Sequence, residues 1–443
     1  MRRHCSGLKG GTRFRCSDAP QFVNFRVDAH AIVERALASG YSLPNVDGDG
    51  GAPRDGIVMV VYPKLLASAY ASIRVLRNVL QCRLPIEIWF HVDEIGADYA
   101  LLAPLQQLAI SVGGISFHQI YNPRAKGFLS KVFAIYNSYF DRVLFLDADN
   151  VPVRNPKFLF DSPEFEANGA VFWPDFWQPR RTLFNLHAKS MLWELLDMPF
   201  VDTFEQESGQ LLVDRARHAA PLELVYFYAF HEPNMFEKLQ LVYGDKDLFR
   251  LAWMKLKASF HMMDALPALA GRAVNGSFCG MTMVQHDANG EVLFLHRNQH
   301  KLSGEQEYHL MNVDEKKVNV SVSEALGAPQ SDEYPDPVIW THLMTYRDGV
   351  SSKFYLIDAY RAPPEFPQWQ PCYGRRYLNR ARHFDVEEFA NLSFSGIETN
   401  IRRYAMEAAQ LRHAQDIARK EVLPANVTND DHYSRGSDLE MSS

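Results

Sequence analysis

The chain has 443 residues, 47% of them apolar and 12% aromatic, enough for a large buried core and too many for one small domain. Its net charge of −7 comes without a Lys/Arg block or basic stripe, which argues against a nucleic-acid partner. Cys5, Cys16, Cys82, Cys279 and Cys372 form no CxxC pair and have no zinc-like His spacing, so one or two disulfides with a thiol left over are expected rather than structural zinc.

Residues 1–27 have no clear period, and residues 42–55, rich in Gly, Asp, Pro and Asn, read as loop, so residues 1–55 are assigned to an N-terminal stem or extension. Residues 1–15 are basic but lack the apolar stretch of a signal peptide, and nowhere do about eighteen consecutive apolar residues predict a membrane-spanning helix. Residues 57–61 read as a strand, and residues 64–81 follow with the helical spacing of Leu66, Ala69, Ile73, Leu76 and Leu80. Strands at 86–92 and 115–120 alternate with helices at 97–111 and 129–140, leading to the apolar run 143–146, which ends in Asp147, Ala148 and Asp149. This beat implies parallel strands with crossover helices, an open sheet that binds ligands beyond its strand ends. Further on, strands at 170–173 and 210–213, helices at 217–240 and 246–259, and a hairpin of 280–286 with 292–296 across Asn289 and Gly290 are predicted. Residues 400–421 read as a helix and residues 426–443 as a disordered tail. The expected division is a catalytic domain at 56–345, with a nucleotide half 56–150 and an acceptor half 151–302, then a helical annex at 346–425.

Two carboxylates at the end of a buried strand are costly unless they hold something, and hard oxygen ligands suit Mg or Mn. The structural alternative is an Asp-rich turn. No GxGxxG follows the first strand, where Val61, Tyr62, Pro63 and Lys64 stand, and no GxxxxGK[ST] occurs, which argues against dinucleotide oxidoreductases and P-loop enzymes.

The stretches FLDADNVPVRNPKFLFDSPEF, GAVFWPDFW, ESGQLLVDR, YGDKDLFRLAW and FCGMTMVQHDANGEVLFLHRNQHK, in this order, resemble successive motifs of the Golgi α-1,3-mannosyltransferase family, glycosyltransferase family 71, over about residues 56–301. The resemblance implies a GT-A type, Rossmann-like α/β fold for nucleotide-diphospho-sugar transfer, with a mixed central sheet and helices on both faces. It implies a retaining enzyme that uses GDP-mannose and Mn (or Mg) to mannosylate a glycan acceptor on a glycoprotein or cell-wall polymer, with UDP-linked galactose or glucose as the alternative donor. It also implies the Golgi lumen and an N-terminal membrane anchor that this sequence does not show. The sequons at Asn275, Asn319, Asn391 and Asn426 support a secretory compartment only weakly, since roughly two or three arise by chance in such a chain.

In this frame Asp147, Asp149 and His296 are the expected metal ligands, and Lys301 would neutralise the departing diphosphate. Taken alone, His296 also fits a structural histidine and Lys301 a solvated charge. Lys131 is placed where a sugar or phosphate can reach it, against the alternative of an exposed helix lysine, and Tyr62 where it can stack on the nucleotide base, against a packed rim residue. Ser208, Gly209 and Gln210 are expected along the sugar pocket, with a plain turn as the rival, and Asp175 among aromatics suited to carbohydrate, with core packing as the rival. Glu207, Asp245 and Asp247 are the carboxylates expected to orient donor or acceptor, although Asp245 also reads as a helix N-cap. Two other classes share the Asp-x-Asp strand: a haloacid dehalogenase-type phosphatase, and an inactive carbohydrate-binding homologue.

Overall fold

The computed structural model describes residues 7–9, 12–46, 51–96, 99–182, 185–306, 308–313, 316–321, 333–361 and 371–422. Helix α1 (Ala19–Ala36) precedes strand β1 (Asp55–Val61), helix α2 (Leu66–Arg74), β2 (Ile86–His91), α3 (Ala103–Val112), β3 (Ile115–Ile120), α4 (Leu129–Asn137) and β4 (Arg142–Leu146). Strands β5 (Asn150–Pro152), β6 (Ala170–Pro174) and β7 (Gln206–Asp214) follow, then helices α5 (Ala219–Phe230) and α6 (Leu248–Leu256) and the short β8 (His261–Met262). The last part holds β9 (Ala268–Val274), β10 (Ser277–His286), β11 (Val292–His296), β12 (His342–Tyr346), β13 (Asp358–Arg361), β14 (Pro371–Gly374), β15 (Phe384–Glu388) and helix α7 (Ile397–Val422).

Among the described residues the main sheet has the order β8-β6-β7-β4-β1-β2-β3. Strands β4, β1, β2 and β3 run parallel, and β7 joins β4 antiparallel with Leu146 opposite Gln210. Strand order therefore reverses direction between β1 and β4, and an open sheet splays its loops apart at such a point to admit a ligand. The alternation along β1 shows why these strands are apolar throughout. Ile57, Met59 and Val61 enter a core shared with α2, α3 and α7, whereas Val58 and Val60 enter a second core with α4, α5 and α6.

A second sheet has the order β13-β14-β10-β9-β12-β15, with β11 pairing both β10 and β5. The predicted Asn-Gly hairpin is the β10–β11 pair. Cys279 on β10 is disulfide-bonded to Cys372 on β14, and Cys82 is a buried free thiol.

Several elements differ from the sequence reading. The expected helix at 64–81 is a 3-10 turn Pro63–Leu65, α2, and a π turn Val75–Val79, because Arg77 turns inward and donates to the Cys82 and Leu84 carbonyls, each at 2.8 Å. The helix expected at 217–240 stops at Phe230, ahead of Pro233, whose ring disfavours helical backbone at the preceding residue. The stem at 1–55 contains α1, which is docked on the body through Phe25, buried against Phe227 and Tyr228. Among the described residues of the expected helical annex at 346–425, β13, β14 and β15 extend the second sheet, three short 3-10 turns intervene, and α7 returns to pack on α2. A boundary at 345 would cut through β12. The tail at 426–443 lies outside the described residues.

Candidate active site

Strand β4 ends where its apolar residues end, and the next backbone N–H, that of Asp147, donates to the Gly209 carbonyl of β7 at 2.8 Å. A turn closed by Asn150 N–H on the Asp147 carbonyl at 2.9 Å sends the chain into β5. Strand β5 pairs antiparallel with β11 so that Asn150 faces His296. A residue far along the chain is thus delivered to the acidic turn by strand register. His296 Nε2 stands 3.4 Å from Asp149 Oδ1 and 3.8 Å from Asp147 Oδ2.

One ligand atom from each of Asp147, Asp149 and His296 falls within a 4.8 Å span. Six-coordinate ligands at bond lengths of about 2.1 Å lie about 3 Å apart when adjacent and about 4.2 Å when opposite, so the observed separations fit one cation. Two carboxylate oxygens and an imidazole nitrogen make a donor set that suits a divalent cation. The imidazole is held from behind: its Nδ1 lies 3.1 Å from Glu207 Oε1, and that oxygen also accepts the Gly209 N–H at 2.7 Å. A Cβ on Gly209 would come to 2.5 Å from His296 Nδ1 and 2.7 Å from Glu207 Oε1, so only glycine admits this approach.

Burial raises the Asp147 carboxyl above the ordinary range, with Asp149 and Asp245 adding to the rise and Lys131 and His296 opposing it. Burial also acts to raise Asp149, but Lys301 and His296 outweigh it and hold that carboxyl well below its usual range. Burial acts to lower His296, and the Asp149 and Glu207 carboxylates overcome it and lift the imidazole to about 10. Without a cation, the imidazole is therefore protonated and supplies the positive charge this acidic site requires. Tyr62, at the end of β1, is raised to about 12 by burial and by the negative Asp149 and Asp147.

Lys131, expected near a sugar or phosphate, is buried. Its Nζ donates to the Ser208 carbonyl at 2.6 Å and to Asp147 Oδ2 at 3.2 Å, and pairs with Asp245 Oδ2 at 3.3 Å. Asp245 is not a helix N-cap: it too is buried, and its carboxyl faces the cavity beside Lys131. Asp247 holds the cap position and is fully buried. Its Oδ2 lies 2.9 Å from Lys246 Nζ and its Oδ1 accepts from Arg250 at 2.7 Å and from the Gln206 N–H at 2.9 Å, so it is spent on structure. Lys301 donates to Asp149 and to the Arg297 carbonyl, and so is not free beside a diphosphate. Gln210 is fully buried, accepts from Asn150 Nδ2 at 2.6 Å and does not line the cavity over Asp147.

A cavity of 220 Å³ opens over these groups, lined by Lys131, Asp147, Glu207, Ser208, Asp245 and His296 together with Asp175, Phe176, Trp177, Lys246 and Tyr373. Lys246 and Tyr373, which no motif in the sequence singles out, also line this cavity. Lys246 sits between Asp175, at 3.2 Å, Asp247 and Glu205. Burial, with Glu207, Glu205 and Asp247 assisting and Lys246 opposing, raises the Asp175 carboxyl to about 7. Tyr373 comes from β14, next to the disulfide.

Residues 54–287 match the family model described as "Mannosyltransferase putative". Similar relatives include the α-1,2-mannosyltransferase MNN21 of Candida albicans, 26% identical over 307 residues that cover 57% of this chain and 46% of that protein. The α-1,2-mannosyltransferase MNN2 of Saccharomyces cerevisiae is 27% identical over 272 residues, covering 52% and 45%, and MNN5 of the same yeast is 25% identical over 377 residues, covering 73% and 61%. The chain spans about half the length of the first two of these relatives. A solved structure of the mannosyltransferase Ktr4p from S. cerevisiae with GDP is 14% identical, with a TM-score of 0.32 over 58% of this chain and 82% of that one. No helix among the described residues is long and apolar enough to cross a membrane. With more than half of its length matched by that one model, the chain belongs to the mannosyltransferase family.

Proposed function

We propose that the protein is a metal-dependent mannosyltransferase that moves mannose from GDP-mannose to a glycan acceptor with retention of the α configuration. The observation that carries this reading is the convergence of Asp147, Asp149 and His296 at the sheet's switch point. Asp147, Asp149 and His296 would hold a divalent cation there, and that cation would supply positive charge to a leaving diphosphate. Lys131, with Asp147 and Asp245 as its partners, adds a second fixed positive charge at the same wall. Asp245 lines the cavity beside Lys131, and Glu207 acts through His296.

The relatives' names favour an α-1,2 linkage over the α-1,3 linkage that the motif resemblance implies. The Cys279–Cys372 disulfide fits an oxidising lumen such as the Golgi. The test is GDP release from GDP-mannose with Mn, with Mg and with chelator, alongside UDP-galactose and UDP-glucose. Mn-dependent turnover of GDP-mannose, abolished in Asp147→Ala and Asp149→Ala, is expected. Turnover that survives both substitutions sinks the assignment, and preference for a UDP-sugar replaces the donor.

A further inference from the structure

The catalytic cavity is small for its task. At 220 Å³ it falls below the range of about 300–1,000 Å³ usual for pockets that enclose a small ligand. A second cavity of 610 Å³ adjoins it, and Phe128 and Tyr243 line both. These two rings are about half exposed, at 53% and 54%, with centroids 5.3 Å apart. The lip they form is fixed from beneath: Gly244 turns there with φ +60°, and a Cβ on it would meet Phe128 at 2.8 Å. Exposed aromatic rings beside a polar pocket present flat apolar faces with wet edges, which suits the C–H faces of sugar rings.

The second cavity is lined mainly by apolar side chains, Leu129, Phe236, Val242 and Leu248 among them, with Asn185, Asn234, Glu237 and Gln240 adding polar groups. Asn185 donates to the Gln240 carbonyl at 2.8 Å, Asn234 donates to the Ala229 carbonyl at 2.8 Å, and Glu237 lines the cavity from the same segment after α5. Its lysine, Lys126, is paired with Asp93 at 2.7 Å. An apolar lining suits the C–H faces of sugar rings, and the Glu237 carboxylate at its edge suits their hydroxyls.

We infer that the acceptor is an oligosaccharide that crosses the Phe128–Tyr243 lip and lays its preceding sugar units in this second cavity. The inference rests on the transferase reading above. It makes chain length a determinant of acceptor choice, since a monosaccharide engages only the catalytic cavity while a longer glycan also stacks on the lip and bonds beyond it.

The experiment compares mannose, mannotriose and mannopentaose as acceptors, with Mn-dependent hydrolysis of GDP-mannose measured in parallel. Wild type is expected to show kcat/KM at least tenfold higher for mannotriose than for mannose. Glu237→Trp, which fills the second cavity, is expected to lose that advantage through KM while donor hydrolysis stays within twofold. Tyr243→Ala is expected to raise KM for the longer acceptors. Equal use of mannose and mannotriose by wild type overturns the inference with the transferase reading intact, as does an undiminished advantage in Glu237→Trp. An absence of hydrolysis and transfer in wild type overturns the transferase reading itself, and the inference with it.

Discussion

Glu207 Oε1 and His296 Nδ1 face each other at 3.1 Å across the junction of the two sheets, leaving Nε2 aimed at Asp147 and Asp149. A carboxylate behind a metal-binding imidazole fixes its tautomer and rotation and strengthens it as a ligand. Glu207→Ala is therefore expected to weaken Mn binding about 10- to 100-fold. Glu207→Gln, which keeps an acceptor oxygen, should fall between. Titration with Mn followed by electron paramagnetic resonance reads this directly, and unchanged affinity with a collapsed transfer rate would instead give Glu207 a direct role on the sugar.

Gly209 is the floor of that arrangement. An added methyl lies inside contact distance of both partners, and overpacking of this kind costs about 1–3 kcal/mol. Gly209→Ala is expected to lower the melting temperature and to cost Mn affinity at once. Full Mn affinity in the variant would show that the imidazole can move aside.

Lys246 pairs with Asp175, Glu205 and Asp247, and the Arg250 guanidinium also pairs with Asp247. Burial acts to lower it, and these carboxylates overcome that and hold it above the usual lysine range. Lys246→Met leaves buried carboxylates uncompensated, and breaking such a pair costs about 3–5 kcal/mol. Urea denaturation at neutral pH measures it. A loss under about 1 kcal/mol, the value of an exposed pair, would refute this role.

His286 is buried on β10, and its Nδ1 makes no hydrogen bond among the described residues. Burial lowers it from 6.5 to about 4, against weaker pulls from Asp287 and Asp348. Between those two values the unfolded chain binds a proton that the folded one refuses, so this stability is present above pH 6.5 and lost as pH falls toward 4. The full loss is about 3 kcal/mol. His286→Leu should remove that component from a stability–pH curve between pH 6.5 and 4, seen as the difference from wild type.

What could be read from the chain follows physical range. The acidic end of β4 is legible because an apolar run stops abruptly at Asp147, a local signal, and the parallel half follows from strand–helix alternation. Lys131 is not legible in the same way: helical spacing reads it as exposed, whereas Asp147 and Asp245 draw it inward. His296 depends on the register between β5 and β11, which no spacing encodes, and only the family motif points to it. Lys246 hides among acids that look like a solvated helix start. Tyr373 reaches the cavity wall through β14, whose place beside β10 is a nonlocal pairing.

The β5–β11 pairing also bears on how the molecule is made. Strand β11 is synthesised long after β4, so a nascent chain carries the Asp147 and Asp149 carboxylates for much of its synthesis without the imidazole that completes their set. The set closes only when the β10–β11 hairpin has docked on β5, and a bound cation favours that docked state by mass action. Supply of that cation would then bear on how many copies mature, separately from how fast each mature copy works.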